Sequence, residues 1–236
     1  MYLYGHHACQ MALLNPKRKI EKIFVTQSSI LEKLPSIGKT KVEIIDKKNL
    51  DKLLPSGSVH QGIALSVQPL SNQTLDFLGE IEEPNQRVMV LDHVSDPHNV
   101  GAILRSAAVF GAKALIMTER HAPKESGSLA KSASGALELV PICVVSNLAQ
   151  ALKDLKALGF WCVGFAESGK QTLDQIDLKG KIALVLGGEG EGMRRLTQEN
   201  CDFTVRLPSA DTFSTLNVSN AAAIALYDTY KKQTKV

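Results

Sequence analysis

The chain reads as an α/β protein in which a mostly parallel sheet, covered by helices on both faces, follows a smaller α/β unit. Three observations predict this. From Arg87 onward, short apolar runs alternate with helical stretches, the pattern of strands buried on both faces. Ahead of residue 70, three shorter apolar runs alternate with two helical patterns. Between these regions, Gln68–Thr74 and Glu82–Gln86 are polar, proline-marked and poorly periodic. Residues 1–70, 71–86 and 87–236 are therefore expected to form a first domain, a linker and a second domain.

In chain order, Ala8 to Leu14 carries a helical pattern and Ile23-Phe24-Val25 is a strand. Val42 to Ile45 is a second strand leading into a helix across Lys47 to Leu54, and Ile63 to Val67 is a third strand. In the second region, strands are expected at Val88–Leu91, Ala114–Met117, Pro141–Val145, Trp161–Phe165, Ile182–Leu186 and Phe203–Leu207. Helices are expected over Leu148–Leu158 and Val218–Tyr230. Lys131 to Glu138 reads as a turn of small residues ending in a carboxylate.

The chain has 236 residues, 44% of them hydrophobic, with a mean hydropathy of −0.02, enough to bury a substantial core. No apolar run approaches the ~20 residues of a membrane span. The first residues lack the charged start and apolar centre of a secretion signal, so a cytoplasmic protein with no membrane partner is expected. Cys9, Cys143, Cys162 and Cys201 are scattered, with no metal-ligand spacing, and are read as reduced thiols. Residues 1–70 hold ten Lys/Arg against five Asp/Glu, while the remainder holds seventeen against nineteen. A basic front end suits a polyanion such as RNA, and equally a solvated lysine-rich surface.

Three segments carry chemistry. Asp92 to Ala108 leaves a strand, turns through Asp96-Pro97 and enters a helix bearing Asn99 and, among small and aliphatic neighbours, Arg105. An amide and a guanidinium at one helix end can hold a phosphate or a developing oxyanion. Those neighbours make the helix look largely buried, so Arg105 is expected to need a partner. Glu138 is either that partner or a surface residue. Gly187-Gly188-Glu189-Gly190-Glu191-Gly192 follows a strand late in the chain. It lacks the first-turn placement of a dinucleotide fingerprint and the Lys-Ser/Thr of a phosphate loop, and its carboxylates would repel a pyrophosphate. Exposed backbone there suits an uncharged or cationic ligand such as S-adenosylmethionine, or serves only a tight turn. Thr215, Leu216, Asn217 and Ser219 open a small-residue helix, where capping by Ser214, Thr215 or Asn217 is the plain alternative. His60-Gln61-Gly62 reads as a turn that can also touch RNA. His93 and His98 read as ordinary loop histidines.

Taken together, Asp96-Pro97-His98-Asn99-Val100-Gly101 with Arg105, Leu186 to Leu196, and Leu207-Pro208 with Leu216-Asn217-Val218-Ser219 resemble the SpoU (TrmH) family of RNA ribose 2′-O-methyltransferases in the SPOUT superfamily. The likeness covers residues 87–232 strongly. It extends weakly to the front, where Leu3-Tyr4-Gly5-His6-His7-Ala8 and Val59-His60-Gln61-Gly62 resemble the substrate-binding domain of the RlmB-like subgroup. The resemblance implies a C-terminal trefoil knot, S-adenosylmethionine as cofactor, and a homodimer with active sites at its interface. It assigns Gly187, Gly188, Glu189, Gly190, Leu207 and Leu216 to the cofactor. Arg105 is assigned to the reacting ribose, with Asn99, Thr215 and Asn217 orienting the groups and Glu138 bracing the arginine. The substrate it implies is a guanosine of large-subunit ribosomal RNA, with tRNA as the alternative and a non-catalytic RNA-binding protein as a further reading. The third segment departs from the pattern at Ser209, Asp211, Phe213, Thr215 and Asn220.

Overall fold

The computed structural model describes residues 1–188, 190–210 and 215–234. Four strands form a first sheet: β1 (Tyr2–Tyr4), β2 (Ile20–Val25), β3 (Lys41–Ile44) and β4 (Ile63–Val67), in the order β1-β4-β2-β3. β4 runs antiparallel to β1 and β2, and β3 is parallel to β2. Helices α1 (His6–Leu14) and α2 (Lys47–Leu53) complete this unit, with Asp46 capping α2 by accepting from the Asn49 amide.

The second sheet contains β5 (Gln86–Asp92), β6 (Leu115–Thr118), β7 (Ile142–Val145), β8 (Phe160–Phe165), β9 (Gln171–Thr172), β10 (Lys181–Gly187) and β11 (Phe203–Arg206). Their order is β7-β6-β5-β10-β8-β11-β9, and every pairing is parallel. Helices α3 (Pro97–Val109), α4 (Gly127–Ala133), α5 (Leu148–Ala157), α6 (Arg195–Glu199) and α7 (Val218–Thr234) connect or follow these strands. Alternate residues face opposite sides. Met89, Leu91, Leu115, Met117 and Leu184 pack with α3, α4 and α7, whereas Val88, Val90, Ile116, Ala183 and Val185 pack with α5. The chain runs from β5 outward to β6 and β7, then returns to build β8 to β11 on the other side. The β5–β10 boundary is thus a switch point, where carboxyl ends of parallel strands open a crevice.

Lys131–Glu138 is the end of α4 followed by a 3₁₀ turn at Ala136–Glu138, where the sequence suggested only a turn. α4 lies against α3 at Gly101, whose missing Cβ would sit 2.8 Å from the Leu129 carbonyl oxygen and 2.9 Å from the Ala133 nitrogen. The core is continuous between the two sheets, joining Leu3, Ile23 and Leu65 to Leu129, Ala130 and Val100. Segment 71–86 is also anchored. Leu78 is fully buried in its 3₁₀ turn, and the Gln73 amide donates to the Ile142 carbonyl (3.2 Å).

Candidate functional site

The three chemistry-bearing segments meet at the mouth of the β5–β10 crevice. Register pairs Asp92, the last residue of β5, with Gly187, the last of β10. Asp92 is fully buried. Its carboxylate accepts from the Arg194 backbone amide (2.9 Å) and Nε (2.8 Å), fastening the end of the glycine turn to the first segment. The turn closes on itself through a Gly192 N–H donating to the Gly188 carbonyl (3.1 Å). Gly188 rests on the His93 carbonyl, with only 2.5 Å between that oxygen and the place a Cβ would take. A side chain at Gly188 would force the two segments apart. Gly190 is exposed, and Glu189 lies outside the described residues.

The third segment joins by a side-chain bond: Asn217 Nδ2 donates to Asn99 Oδ1 (3.1 Å). Asn217 also caps α7, its Oδ1 accepting from the Ser219 amide (2.9 Å) and hydroxyl (2.6 Å). One side chain thus both caps α7 and holds the third segment to the first. Thr215 and Leu216 stand exposed just ahead of this cap, and Leu207 lies half-buried past the end of β11. Ser214, the other capping candidate, is outside the described residues.

Two expectations about Arg105 are corrected. α3 buries one stripe, Val100, Gly101, Ile103, Leu104 and Ala107, and Arg105 projects from the opposite side into solvent. Among the described residues it forms no ion pair, so its charge is available to a ligand. Glu138 does not brace it and is not a surface group. Its side chain is 2% exposed and is held by Arg18 Nη2 (2.6 Å), Arg18 Nε (3.1 Å) and Asn15 Nδ2 (2.7 Å), all from the first sheet's unit. Proximity in sequence to small residues suggested an active-site turn, whereas the carboxylate points toward the other sheet. The mouth of α3 is also occupied: Asp96 caps it by accepting from the His98 amide (3.0 Å), with Pro97 in the first turn. The start of α3 is thus taken up by its own cap, and the guanidinium of Arg105 stands apart from it on the solvent side of the helix.

Sequence reasoning missed His93. It holds φ 62°, a left-handed conformation uncommon for a residue other than glycine, and its ring lies against that of His121 with centroids 3.7 Å apart. Its Nε2 is buried without a hydrogen-bond partner among the described residues. Burial, together with the cationic Arg194 and neighbouring His121, pushes its pKa below the usual histidine value. No motif marked this; only the backbone angle does. The cysteines offer no nucleophile. Burial pushes the thiols of Cys143, Cys162 and Cys201 up to about 12.

Among the described residues, no helix is long and apolar enough to cross a membrane. Residues 86–227 match the family model of the SpoU rRNA methylase family, and residues 2–73 match that of the RNA 2′-O ribose methyltransferase substrate-binding domain. The 23S rRNA (guanosine-2′-O-)-methyltransferase RlmB of Pseudomonas aeruginosa is 36% identical over 98% of this chain and 96% of its own. The protein of the same name from Escherichia coli K12 is 35% identical over 98% of both chains. The crystal structure of the SpoU methyltransferase AviRb from Streptomyces viridochromogenes, in complex with AdoMet, superposes with a TM-score of 0.85. It covers 98% of this chain and 89% of that one at 23% identity, a likeness of fold. The mostly parallel sheet, the preceding smaller unit and these matches together place the chain in the SpoU rRNA methylase family.

Proposed function

We propose that this protein is an S-adenosylmethionine-dependent RNA ribose 2′-O-methyltransferase acting on a guanosine of 23S ribosomal RNA. The observation that carries the reading is the Asn217–Asn99 hydrogen bond, which ties the third segment to the first at the crevice where the glycine turn also ends. The residues there suit the cofactor. The glycine turn offers backbone rather than cations, Glu191 in it carries a charge opposite to that of a sulfonium, and Leu216 presents an apolar side chain 48% exposed that would suit a purine.

Gly187, Gly188, Gly190, Leu207 and Leu216 are assigned to hold the cofactor, together with Glu189 by position in the motif. When bound, S-adenosylmethionine supplies an electrophilic methyl carbon. Arg105 would clamp the RNA phosphate or 2′-oxygen and stabilise the negative charge developing on that oxygen while the hydroxyl proton passes to solvent water. A guanidinium does not accept that proton. Asn99, Asn217 and Thr215 orient the ribose beside the turn, and alignment alone is worth up to ~7–11 kcal/mol of a barrier of this kind.

Residues 1–70 serve as the RNA-binding domain, 71–86 as the connection and 87–236 as the catalytic domain. The proposed knot is supported by the placement of β11 between β8 and its immediate successor β9. α7 meanwhile reaches back to the 173–180 segment: Lys232 Nζ donates to the Leu173 carbonyl (3.1 Å) and Gln233 Nε2 to the Leu178 carbonyl (2.9 Å). A homodimer through α3 and α7 is supported by two exposed apolar groups on these packed helices, Val109 (68%) and Tyr227 (53%), the latter's ring meeting Phe110 at 5.7 Å.

The test is methyl transfer from labelled S-adenosylmethionine to 23S and transfer RNA, with the modified ribose mapped. Methylation of a single 23S guanosine is the expected result; transfer to tRNA alone would overturn the substrate. In the same assay Arg105→Ala should lower kcat by about 100-fold or more with cofactor affinity unchanged, and near-normal turnover would remove Arg105 from the mechanism.

A further inference from the structure

We propose that the seam between the two sheets is itself an RNA-binding surface, in which Lys131 takes a backbone phosphate and Gln61 meets the adjoining nucleotide. This rests on the RNA-methyltransferase reading and adds the residues that carry the strand between the two units.

Lys131 lies in the last turn of α4, on the catalytic side, and its ammonium reaches across to donate to Gln61 Oε1 (2.9 Å) in the loop before β4. The same oxygen accepts from the His6 backbone amide (3.1 Å). Gly5, at φ 88°, lacks the Cβ that would occupy the position of the ammonium. Lys131 faces a neutral amide rather than a carboxylate among the described residues, and that amide belongs to the other unit, so the ammonium is held at the seam with its charge unneutralised. An amide–ammonium bond at an exposed position is exchanged for an ammonium–phosphate bond at little cost, since the latter is charge-assisted.

Gln61 is exposed and holds φ 56°, a left-handed angle for a non-glycine residue. Its loop is fixed from behind by Gly62 N–H donating to His60 Nδ1 (3.0 Å) and by His60 Nε2 bonded to Asp51 (3.0 Å). A strained, exposed amide on a braced loop is suited to reading a splayed base edge. The surface continues toward the reacting centre. Ser132, next to Lys131, bonds His98 Nδ1 (3.0 Å), and His98 shares its face of α3 with Arg105 two turns on. An RNA strand entering at Gln61 thus passes Lys131 and His98 before reaching Arg105.

The experiment measures methyl transfer and filter binding to 23S rRNA against KCl concentration, for the full-length protein, Lys131→Gln, Gln61→Glu and, as a control on α5, Lys153→Gln. Cofactor binding by each variant verifies its fold. Lys131→Gln is expected to raise KM for RNA several-fold at unchanged kcat. It should also flatten the slope of log affinity against log salt by about 0.7–0.9, the contribution of one phosphate contact. Gln61→Glu, which keeps Lys131 but neutralises it internally, should flatten the slope equally, and decides the matter should Lys131→Gln lose its fold. Lys153→Gln should leave both unchanged. Wild-type slope and KM in folded Lys131→Gln or Gln61→Glu would overturn the seam surface. If the wild-type chain transfers no methyl group to any RNA, the reaction assigned above fails instead, and the filter-binding slopes still decide the seam.

Discussion

At the residue scale, Asn217 uses different atoms of one side chain to cap a helix and to tie the third segment to the first. Its Oδ1 caps α7, and its Nδ2 donates to Asn99. Asn217→Asp keeps an acceptor for the cap and loses the donor. The expected outcome is a melting temperature near that of the parent with methyl transfer strongly reduced, whereas Asn217→Ala should lose about 1 kcal/mol of stability as well. Equal Tm loss in both variants would show that the cap does not depend on Oδ1. His93 makes the complementary case. Its pKa is depressed in the folded chain by burial, Arg194 and His121, against the opposite pull of Asp92 and Glu191. The folded state then binds fewer protons than the unfolded one, so this contribution is complete above the ordinary histidine value of 6.5 and is lost as pH falls through the folded pKa. His93→Asn, a residue that tolerates left-handed φ, should gain about 1 kcal/mol at neutral pH. It should also flatten the loss of Tm below pH 6.5, as thermal melts at several pH values would show.

At the element scale, legibility followed burial. The central strands β5, β6, β8 and β10 stand close to their expected positions because both faces are largely covered, so each reads as a mostly apolar run, while β7 and β11, less buried, are marked by shorter ones. β1 has three residues and β9 two, the latter Gln-Thr at a sheet edge, and neither is long enough for a period to show. α4, with sequence GSLAKSA, was hidden for another reason: its packing comes from small residues at a close helix crossing rather than from an apolar stripe. The motifs singled out three segments whose parts the fold links by hydrogen bonds and strand register. They did not reveal that Arg105 is exposed, because Ala and Val neighbours are equally compatible with a surface helix. Gly101 tests the crossing. Gly101→Val must displace the Leu129–Ala133 backbone, since even a Cβ would lie 2.8 Å from a carbonyl oxygen. Overpacking of this kind costs about 1–3 kcal/mol. Because α4 carries Lys131 and α3 carries Arg105, urea unfolding should report the stability loss while methyl transfer by the folded fraction also declines.

At the scale of the whole molecule, the relation between the two sheets depends on a buried charge cluster that no sequence pattern announced. Arg18, between α1 and β2, has a side chain with no exposed surface. It donates to the Gln68 carbonyl (2.9 Å), to Glu125 (2.5 Å) and to both oxygens of Glu138, while the Leu70 amide donates to the other oxygen of Glu125 (2.9 Å). Residues 107 and 120 positions away in sequence are thus drawn to one guanidinium. Two acids and a base, each remote from the others in the chain and set among unremarkable neighbours, give a linear reading nothing to connect. Removing only the base strands two buried carboxylates, so Arg18→Met should destabilise the chain by about 3–5 kcal/mol. Removing base and inner acid together, as Arg18→Met/Glu138→Leu, leaves Glu125 with its Leu70 partner and should recover much of that loss. The recovered variant separates holding the chain together from holding its two units in register. Apolar replacements restore burial but not the directional hydrogen bonds. Folded Arg18→Met/Glu138→Leu should therefore bind S-adenosylmethionine normally while its KM for 23S rRNA rises, measured beside urea unfolding of the same preparation. A double variant as stable as the parent that also methylates RNA with the parent's KM would show that the cluster contributes to folding alone.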